Sequence, residues 1–311
     1  MWVRFLLPLP KIIIMEFVEQ KKKKHGDRRD GHLVKNAPLI NKLMAGVYPN
    51  RCDNEVSSST DLDITNLMNY IKARKEKDPN CQIKFFHCFI AALTRVINEK
   101  RLLLRFVQGN KIYEKDTIRI SFIAKRQFNE KAEESIISYV AKKEDNVDSV
   151  TNFIINEVKG ARENGNYGAT KNGKSTINKL GKLPNFMIRI LARFLRFIDR
   201  HGIVIKGSIR EDPSFATALV ANLGSIGTRS VYHHLNNYGS CSLMITIGKI
   251  FEKEVKMPDG HIENRTFVDI TAIFDERMAD GFYFINCVKL LEQYLTHPET
   301  LEKPFGDEVK F

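Results

Sequence analysis

Two stretches of the chain combine residue types at spacings that could do chemistry. The first is GATKNGKS, Gly168 to Ser175, which satisfies the phosphate-loop pattern GxxxxGK(S/T). In that motif, backbone amides converge on phosphate, so the loop requires a buried strand before it and a helix directly after it. Here a charged helix end is predicted before the loop, and Gly181 and Pro184 interrupt the segment after it. A phosphate-loop nucleotide hydrolase is therefore the weakest functional hypothesis.

The second stretch is the histidine pair His233 and His234, which comes directly after Tyr232. Imidazole exchanges protons near neutral pH, so adjacent histidines are candidates for acid-base chemistry. Surface or packing histidines are more common, and that alternative stays open. His87, on a predicted helix, is interpreted as a core or surface histidine rather than a ligand.

Hydrophobic periodicity predicts the elements that must position these residues. Apolar residues at helical spacing predict helices from Asp61, capped by Asp63, near 86–97, at 131–143 and 147–162, and from Gly281 to Leu295, capped by Asp280. Alternation of β-branched residues predicts strands at 117–124, 216–222, 242–250 and 266–274. The polar, glycine-rich stretch 165–182 predicts a loop. The last third of the chain is thus expected to be rich in strands.

A further helix is predicted from Pro184 to Arg200, with Gly202 ending it. Its two faces are distinct, with arginines on one and large apolar residues on the other: Arg189, Arg193, Arg196 and Arg200 against Phe186, Ile190, Phe194 and Phe197. The favoured interpretation is a solvated basic face over a core. A membrane surface or an acidic partner, such as an acyl carrier protein, is the alternative.

Length and composition set the class of protein. The chain has 311 residues, of which 43% are hydrophobic, which is enough for a sizeable core. The net charge of +12 indicates anionic partners. No zinc-finger spacing, RNP-like motif or basic zipper points to nucleic acid. The five cysteines are scattered, which predicts reduced thiols in a cytoplasm and no metal site.

Two motifs in the last third carry a family resemblance. VANLGSIG at 220–227 is followed by SLMITIGKI at 242–250, and VDITAIFDERMADG at 268–281 is followed by LEQYLTHPETL at 291–301. With the weaker DLDITNL at 61–67, they resemble in order and separation the catalytic domain of the 2-oxoacid dehydrogenase acyltransferases. That domain is of the chloramphenicol acetyltransferase-like class. The resemblance implies an α/β fold, an α+β sandwich with a mostly antiparallel or mixed sheet flanked by helices, assembled as a homotrimer with sites between subunits.

The resemblance also implies a mechanism. In the family, the histidine of DHRxxDG takes a proton from the thiol of coenzyme A or lipoamide, and a hydroxyl residue before Asn-Leu-Gly stabilises the oxyanion. In this chain the histidine position falls on Glu276 and the hydroxyl position on Ala221. The motif's structural positions are retained, at Asn222, Gly224, Arg277, Asp280 and Gly281. A solvated carboxylate is a weak base toward a thiol, and an alanine donates nothing to an oxyanion.

Two functions remain open under this resemblance. One is a divergent acyltransferase that moves an acyl group from a thioester to an unknown acceptor, with Glu276, His233 or His234 as base. HHLNNYG imitates the HHxxxDG of related enzymes, but Tyr238 replaces the aspartate. The other is a degenerate fold that serves as a binding or scaffold subunit. No tightly bound cofactor is expected, and a coenzyme A thioester is the expected co-substrate.

The resemblance divides the chain into three segments. Residues 1–47 are predicted to be a basic, disordered arm, and 1–14 are interpreted as an upstream start-site artefact because prolines break the apolar run and no cleavage site comes after it. Residues 48–303 are expected to form the acyltransferase-like domain, and 304–311 a tail. The expected partners are two further copies of the chain and an acidic carrier protein, with a membrane surface less favoured.

Overall fold

The computed structural model describes residues 16–125, 134–164, 183–205 and 212–311. Within these ranges the main sheet has six strands, which are β2 (Glu55–Asp63), β5 (Arg119–Lys125), β6 (Glu134–Val140), β7 (Ala218–Asn222), β8 (Leu243–Lys256) and β9 (Ile262–Asp275). Their order across the sheet is β2-β9-β8-β7-β5-β6. The sheet is mixed, because β8, β7 and β5 are parallel neighbours while the other pairs are antiparallel.

Helices cover one face of this sheet, and alternate strand residues point into the space between them. Val220, Ile245 and Ala272 lie in this core together with nearly all of the helix that spans 85–99. Full burial of one such aliphatic side chain contributes about 1.5–3 kcal/mol. The covering helices are α2 (Thr65–Lys77), α3 (Phe85–Glu99), α4 (Val147–Asn164) and α6 (Gly281–Thr296). This mixed sheet flanked by helices confirms the predicted fold class.

The prediction of a solvated arm is wrong for residues 16–47. Phe17 and Val18 lie in the core. The segment also contains β1 (His32–Leu33), which joins β3 (Arg105–Gln108) and β4 (Lys111–Glu114) in a small sheet, and α1 (Leu39–Val47). Arg28 is buried because its charge is paired, with Asp30 at 2.9 Å and with Asp199 at 2.8 Å. The charged residues of this segment therefore belong in part to a buried network of ion pairs.

Two other predicted elements differ in the structure. The helix predicted at 131–143 is wrong over Glu134–Val140, which is strand β6, because Ile137 and Tyr139 face the core at a spacing of two. The helix predicted from Asp61 begins only at Thr65. Residues before it end strand β2, and Asp63 accepts a hydrogen bond from the Thr65 N–H at 3.0 Å.

The predicted basic helix is present as α5 (Asn185–Arg200), and Gly202 beyond it adopts a φ of +82°. None of the described helices is long and apolar enough to cross a membrane. All five cysteines lie within the described ranges and are free thiols. The GATKNGKS stretch lies outside the described residues.

Candidate functional site

The DERMADG turn joins the end of β9 to the start of α6 on a buried ion pair. Asp275 is fully buried and receives two N–H groups of Arg277, Nε to Oδ1 at 2.8 Å and Nη2 to Oδ2 at 2.6 Å. Arg277 Nη1 also donates to the carbonyls of Tyr48 and Pro49, at 3.0 Å and 3.3 Å. A bidentate arginine–carboxylate pair of this kind restricts the orientation of both side chains and also strengthens their contact. The backbone of the turn is therefore held in place.

Glu276 lies between these two buried residues, and its own side chain is exposed in the single chain. Its backbone N–H donates to the carbonyl of Asn54 at 2.9 Å. The carbonyl of Arg277 accepts from Asn41 Nδ2, in α1, at 2.8 Å. The turn thus presents the Glu276 carboxylate outward from an anchored backbone.

Asp280 and Gly281 end the same turn. The Asp280 carboxylate accepts from the Tyr283 N–H at 2.9 Å, which caps α6 as predicted. A Cβ added at Gly281 would meet no atom within 4 Å, so the single chain gives no packing reason for a glycine there.

Arg51 connects this turn to the loop 228–242. Its Nε lies 3.5 Å from Asp275 Oδ2, and its Nη2 donates to the carbonyl of Gly239 at 3.0 Å and to that of Val107 at 3.3 Å. Burial lowers the pKa of Arg51, and the attraction of Asp275 opposes that effect. Sequence reasoning missed Arg51, because nothing in its neighbourhood marks a partner more than 200 positions away.

The histidine pair lies in the same loop, at the same end of the sheet as Glu276. His233 and His234 are exposed, and their rings stack with centroids 4.9 Å apart. The next residue, Leu235, is buried and donates its N–H to the carboxylate of Glu55. Glu55 is the register partner of Asp275. The bond to Glu55 therefore places the histidine pair near the DERMADG turn, where the start of β2 pairs with the end of β9.

The NLGSIG turn begins where β7 ends, at Asn222. It packs so closely on β8 that a Cβ at Gly224 would clash with the carbonyl of Gly248. A Cβ at Gly248 would in turn clash with the carboxylate of Asp269. Gly227 ends the turn with a φ of +77°, a conformation that favours glycine. Backbone packing accounts for these glycines without any bound ligand.

Ala221 lies half-buried on the sheet face opposite the helices. In register it pairs with Thr246, which pairs with Thr271, which pairs with Ser59. The Thr246 hydroxyl donates to the carbonyl of Val231 at 2.6 Å. Its proton is therefore engaged, and it does not replace a hydroxyl at position 221.

Sequence reasoning also missed a polar cluster on this face. Asp269 is buried and accepts from the Ser230 N–H at 2.8 Å and from its hydroxyl at 2.7 Å, while its Oδ1 has no hydrogen-bond partner within the described chain. The signal that could have found this face is the polar run from Ser57 to Asp61 in β2. Every second residue of a strand lies on the same face of the sheet, so this run places polar side chains there.

The two positions to which the resemblance assigns chemistry are far apart in one chain. The register partners of Ala221 across the sheet are Thr246 in β8 and then Thr271 in β9. Thr271 lies five positions before Glu276. At typical strand geometry this is roughly 16 Å along the strands and roughly 10 Å across them. Reacting groups must lie within about 3–3.5 Å. One chain therefore does not bring positions 221 and 276 onto one substrate atom.

Comparison with known proteins finds a family match over part of the chain. The model of the family "2-oxoacid dehydrogenases acyltransferase (catalytic domain)" matches residues 207–302. This confirms the predicted resemblance over that stretch. No curated protein matches the chain by sequence. Within the described chain no group of three or more His, Cys, Asp and Glu side chains is arranged to hold a metal ion.

Solved structures show the same fold. A dihydrolipoamide acetyltransferase of Azotobacter vinelandii has a TM-score of 0.57 at 12% identity, over 87% of this chain and 94% of that one. A probable dihydrolipoamide acetyltransferase of Listeria monocytogenes has a TM-score of 0.53 at 18% identity, over 85% and 95%. A chloramphenicol acetyltransferase has a TM-score of 0.51 at 13% identity, over 85% and 99%. The chain therefore has the chloramphenicol acetyltransferase-like fold.

Proposed function

We propose that the chain is an acyltransferase that moves an acyl group from a thioester, of coenzyme A or of a carrier, to a nucleophilic acceptor. The observation that carries the proposal is the DERMADG turn, whose backbone is anchored by Asp275, Arg277 and Arg51 while Glu276 projects outward. Apolar residues of similar volume often serve stability as well as a buried ion pair does. An anchored platform under one outward carboxylate is better suited to positioning a reacting group. The family match over 207–302 supports acyl transfer as the reaction.

Glu276 is the base in this proposal. Its carboxylate takes the proton from the S–H, O–H or N–H of the acceptor as that atom attacks the thioester carbonyl. The tetrahedral intermediate then expels the thiolate of coenzyme A, which recovers the proton from Glu276. His233 and His234 are the second candidates for the base, because their loop reaches the same end of the sheet. In either case no hydroxyl from position 221 stabilises the oxyanion.

The site is completed by a second copy in a homotrimer. The separation of positions 221 and 276 within one chain supports this arrangement, because the resemblance implies sites that lie between subunits. Sedimentation equilibrium at micromolar concentration is expected to give three times the chain mass. A monomer would contradict the assembly and, with it, a site that is completed between copies.

The alternative function is a scaffold subunit with the same fold. Ala221 favours it, because both chemical positions of the family motif have changed while the packing glycine Gly224 is kept. The two functions are separated by incubating the chain with short-chain and long-chain acyl-coenzyme A and with thiol, amine and hydroxyl acceptors, and measuring released coenzyme A. Release above the protein-free rate supports the enzyme. The scaffold is supported by background rates with every pair and by no thermal shift with coenzyme A.

A further inference from the structure

Helix α5 displays an apolar strip that the described chain leaves largely exposed, with only the His201 ring packed against Phe197. Phe186, Ile190, Phe194 and Phe197 are between 56% and 63% exposed, although they are among the largest apolar side chains of the helix. The interpretation that this strip covers a core is therefore wrong. Large apolar side chains exposed side by side indicate an interaction surface.

The arginines of α5 adjoin this strip. At 100° per residue, Arg189, Arg193, Arg196 and Arg200 fall in one arc, and the exposed apolar side chains fall in the arc next to it. All four arginines are exposed. Asp199 is the one acidic residue of the helix, and it is buried against Arg28 at 2.8 Å. The outward side of α5 therefore carries only positive charge.

The inward side of α5 is fixed to the domain at its last turn. The Asp199 carboxylate also accepts from Gln108 Nε2 at 2.6 Å and from the Gly239 N–H at 2.9 Å. Gly239 belongs to the loop that carries the histidine pair. The exposed strip is thus presented by a helix whose last turn is anchored to the loop that carries the histidine pair.

We propose that α5 is an interfacial helix that lies on an anionic phospholipid surface. Its arginines would contact headgroup phosphates, and its apolar strip would enter the boundary between headgroups and acyl chains. A helix binds in this way when a strongly basic arc adjoins an arc of Phe, Ile and Leu. Pairing of two α5 strips from different copies would bring arginines together without an acidic residue free to meet them, so a second copy fits this surface less well.

The electrostatic part of the proposal is tested by cosedimentation of the full chain with phosphatidylcholine vesicles, with and without phosphatidylglycerol. Binding is expected only with the anionic lipid, and it should weaken as salt is raised. The variant R189Q/R193Q/R196Q should bind on the order of 100-fold more weakly. The matched control K72Q/K75Q/K77Q removes the same charge from exposed positions of α2 and should bind within a few-fold of wild type.

The apolar part is tested by two further variants. Phe194→Trp should show a blue-shifted emission on anionic vesicles, and F186S/I190S should bind more weakly at unchanged circular dichroism and oligomeric mass. Three results would each overturn the proposal. These are equal loss in the α2 control, binding to an acidic carrier protein with none to anionic vesicles, and a smaller oligomer in F186S/I190S, which would make the strip an interface between copies.

Discussion

Replacing Arg277 by methionine tests whether the buried pair anchors the DERMADG turn. The substitution keeps side-chain length but removes both N–H groups to Asp275 and those to the carbonyls of Tyr48 and Pro49. Asp275 is 0% exposed, so its charge would remain buried with Arg51 Nε, at 3.5 Å, as its remaining cation. Breaking a buried pair from one side costs about 3–5 kcal/mol. We expect the free energy of unfolding to fall by about that amount.

The measurement is urea unfolding followed by circular dichroism at fixed protomer concentration, because assembly contributes to apparent stability. Lys72→Met is the control, since the Lys72–Glu76 pair is exposed (79% and 68%) and should cost at most about 0.5 kcal/mol. The double variant D275N/R277M should lose less than the sum of the two single variants, by about 1–3 kcal/mol. A loss below about 1 kcal/mol in Arg277→Met, or strict additivity, would refute the anchoring role.

Three further predictions concern buried groups and backbone packing. Burial lowers the pKa of His87 to about 4. Between about pH 4 and about pH 6.5 the unfolded chain therefore binds more protons than the folded chain, so the free energy of unfolding should fall as the pH is lowered through this window. His87→Phe should flatten that fall in urea midpoints measured against pH. Burial lowers the pKa of Lys115 to about 7. The unfolded chain therefore binds more protons than the folded chain between about pH 7 and about pH 10, so the free energy of unfolding should rise with pH over this range, and Lys115→Met should remove this rise. Gly224→Ala should lower the melting temperature because its Cβ would clash with the carbonyl of Gly248, whereas Gly281→Ala, with open space, should leave it unchanged.

Local signals predicted much of the fold from sequence. Asp280 could be identified as a helix cap because capping depends on residues three positions apart, and the structure shows its bond to Tyr283. The period of two in β6 was masked by the charged residues at the start of the segment predicted as a helix. Burial of Arg28 could not be predicted, because its partner Asp199 is 171 positions away in sequence.

The sequence could name candidate site residues but not their geometry. The resemblance assigned chemical positions to Glu276 and Ala221, yet their separation depends on the register of β7, β8 and β9, which no sequence period encodes. The location of His233 beside the β2–β9 edge likewise depends on long-range bonds, among them those from the Leu235 N–H to Glu55 and from the Arg51 N–H to the Asn237 side chain.

The most direct test of the central claim is the rate of coenzyme A release with the best acyl donor and acceptor, compared between wild type, Glu276→Gln and Glu254→Gln. Glu254 is an exposed glutamate at the far end of β8 and serves as the matched control. General-base catalysis contributes about 10²–10⁴-fold, so Glu276→Gln should lower kcat by about 100-fold or more while Glu254→Gln keeps the wild-type rate. A Glu276→Gln chain that is folded, keeps its oligomeric mass and turns over within a few-fold of wild type would contradict the assignment of Glu276 as the base.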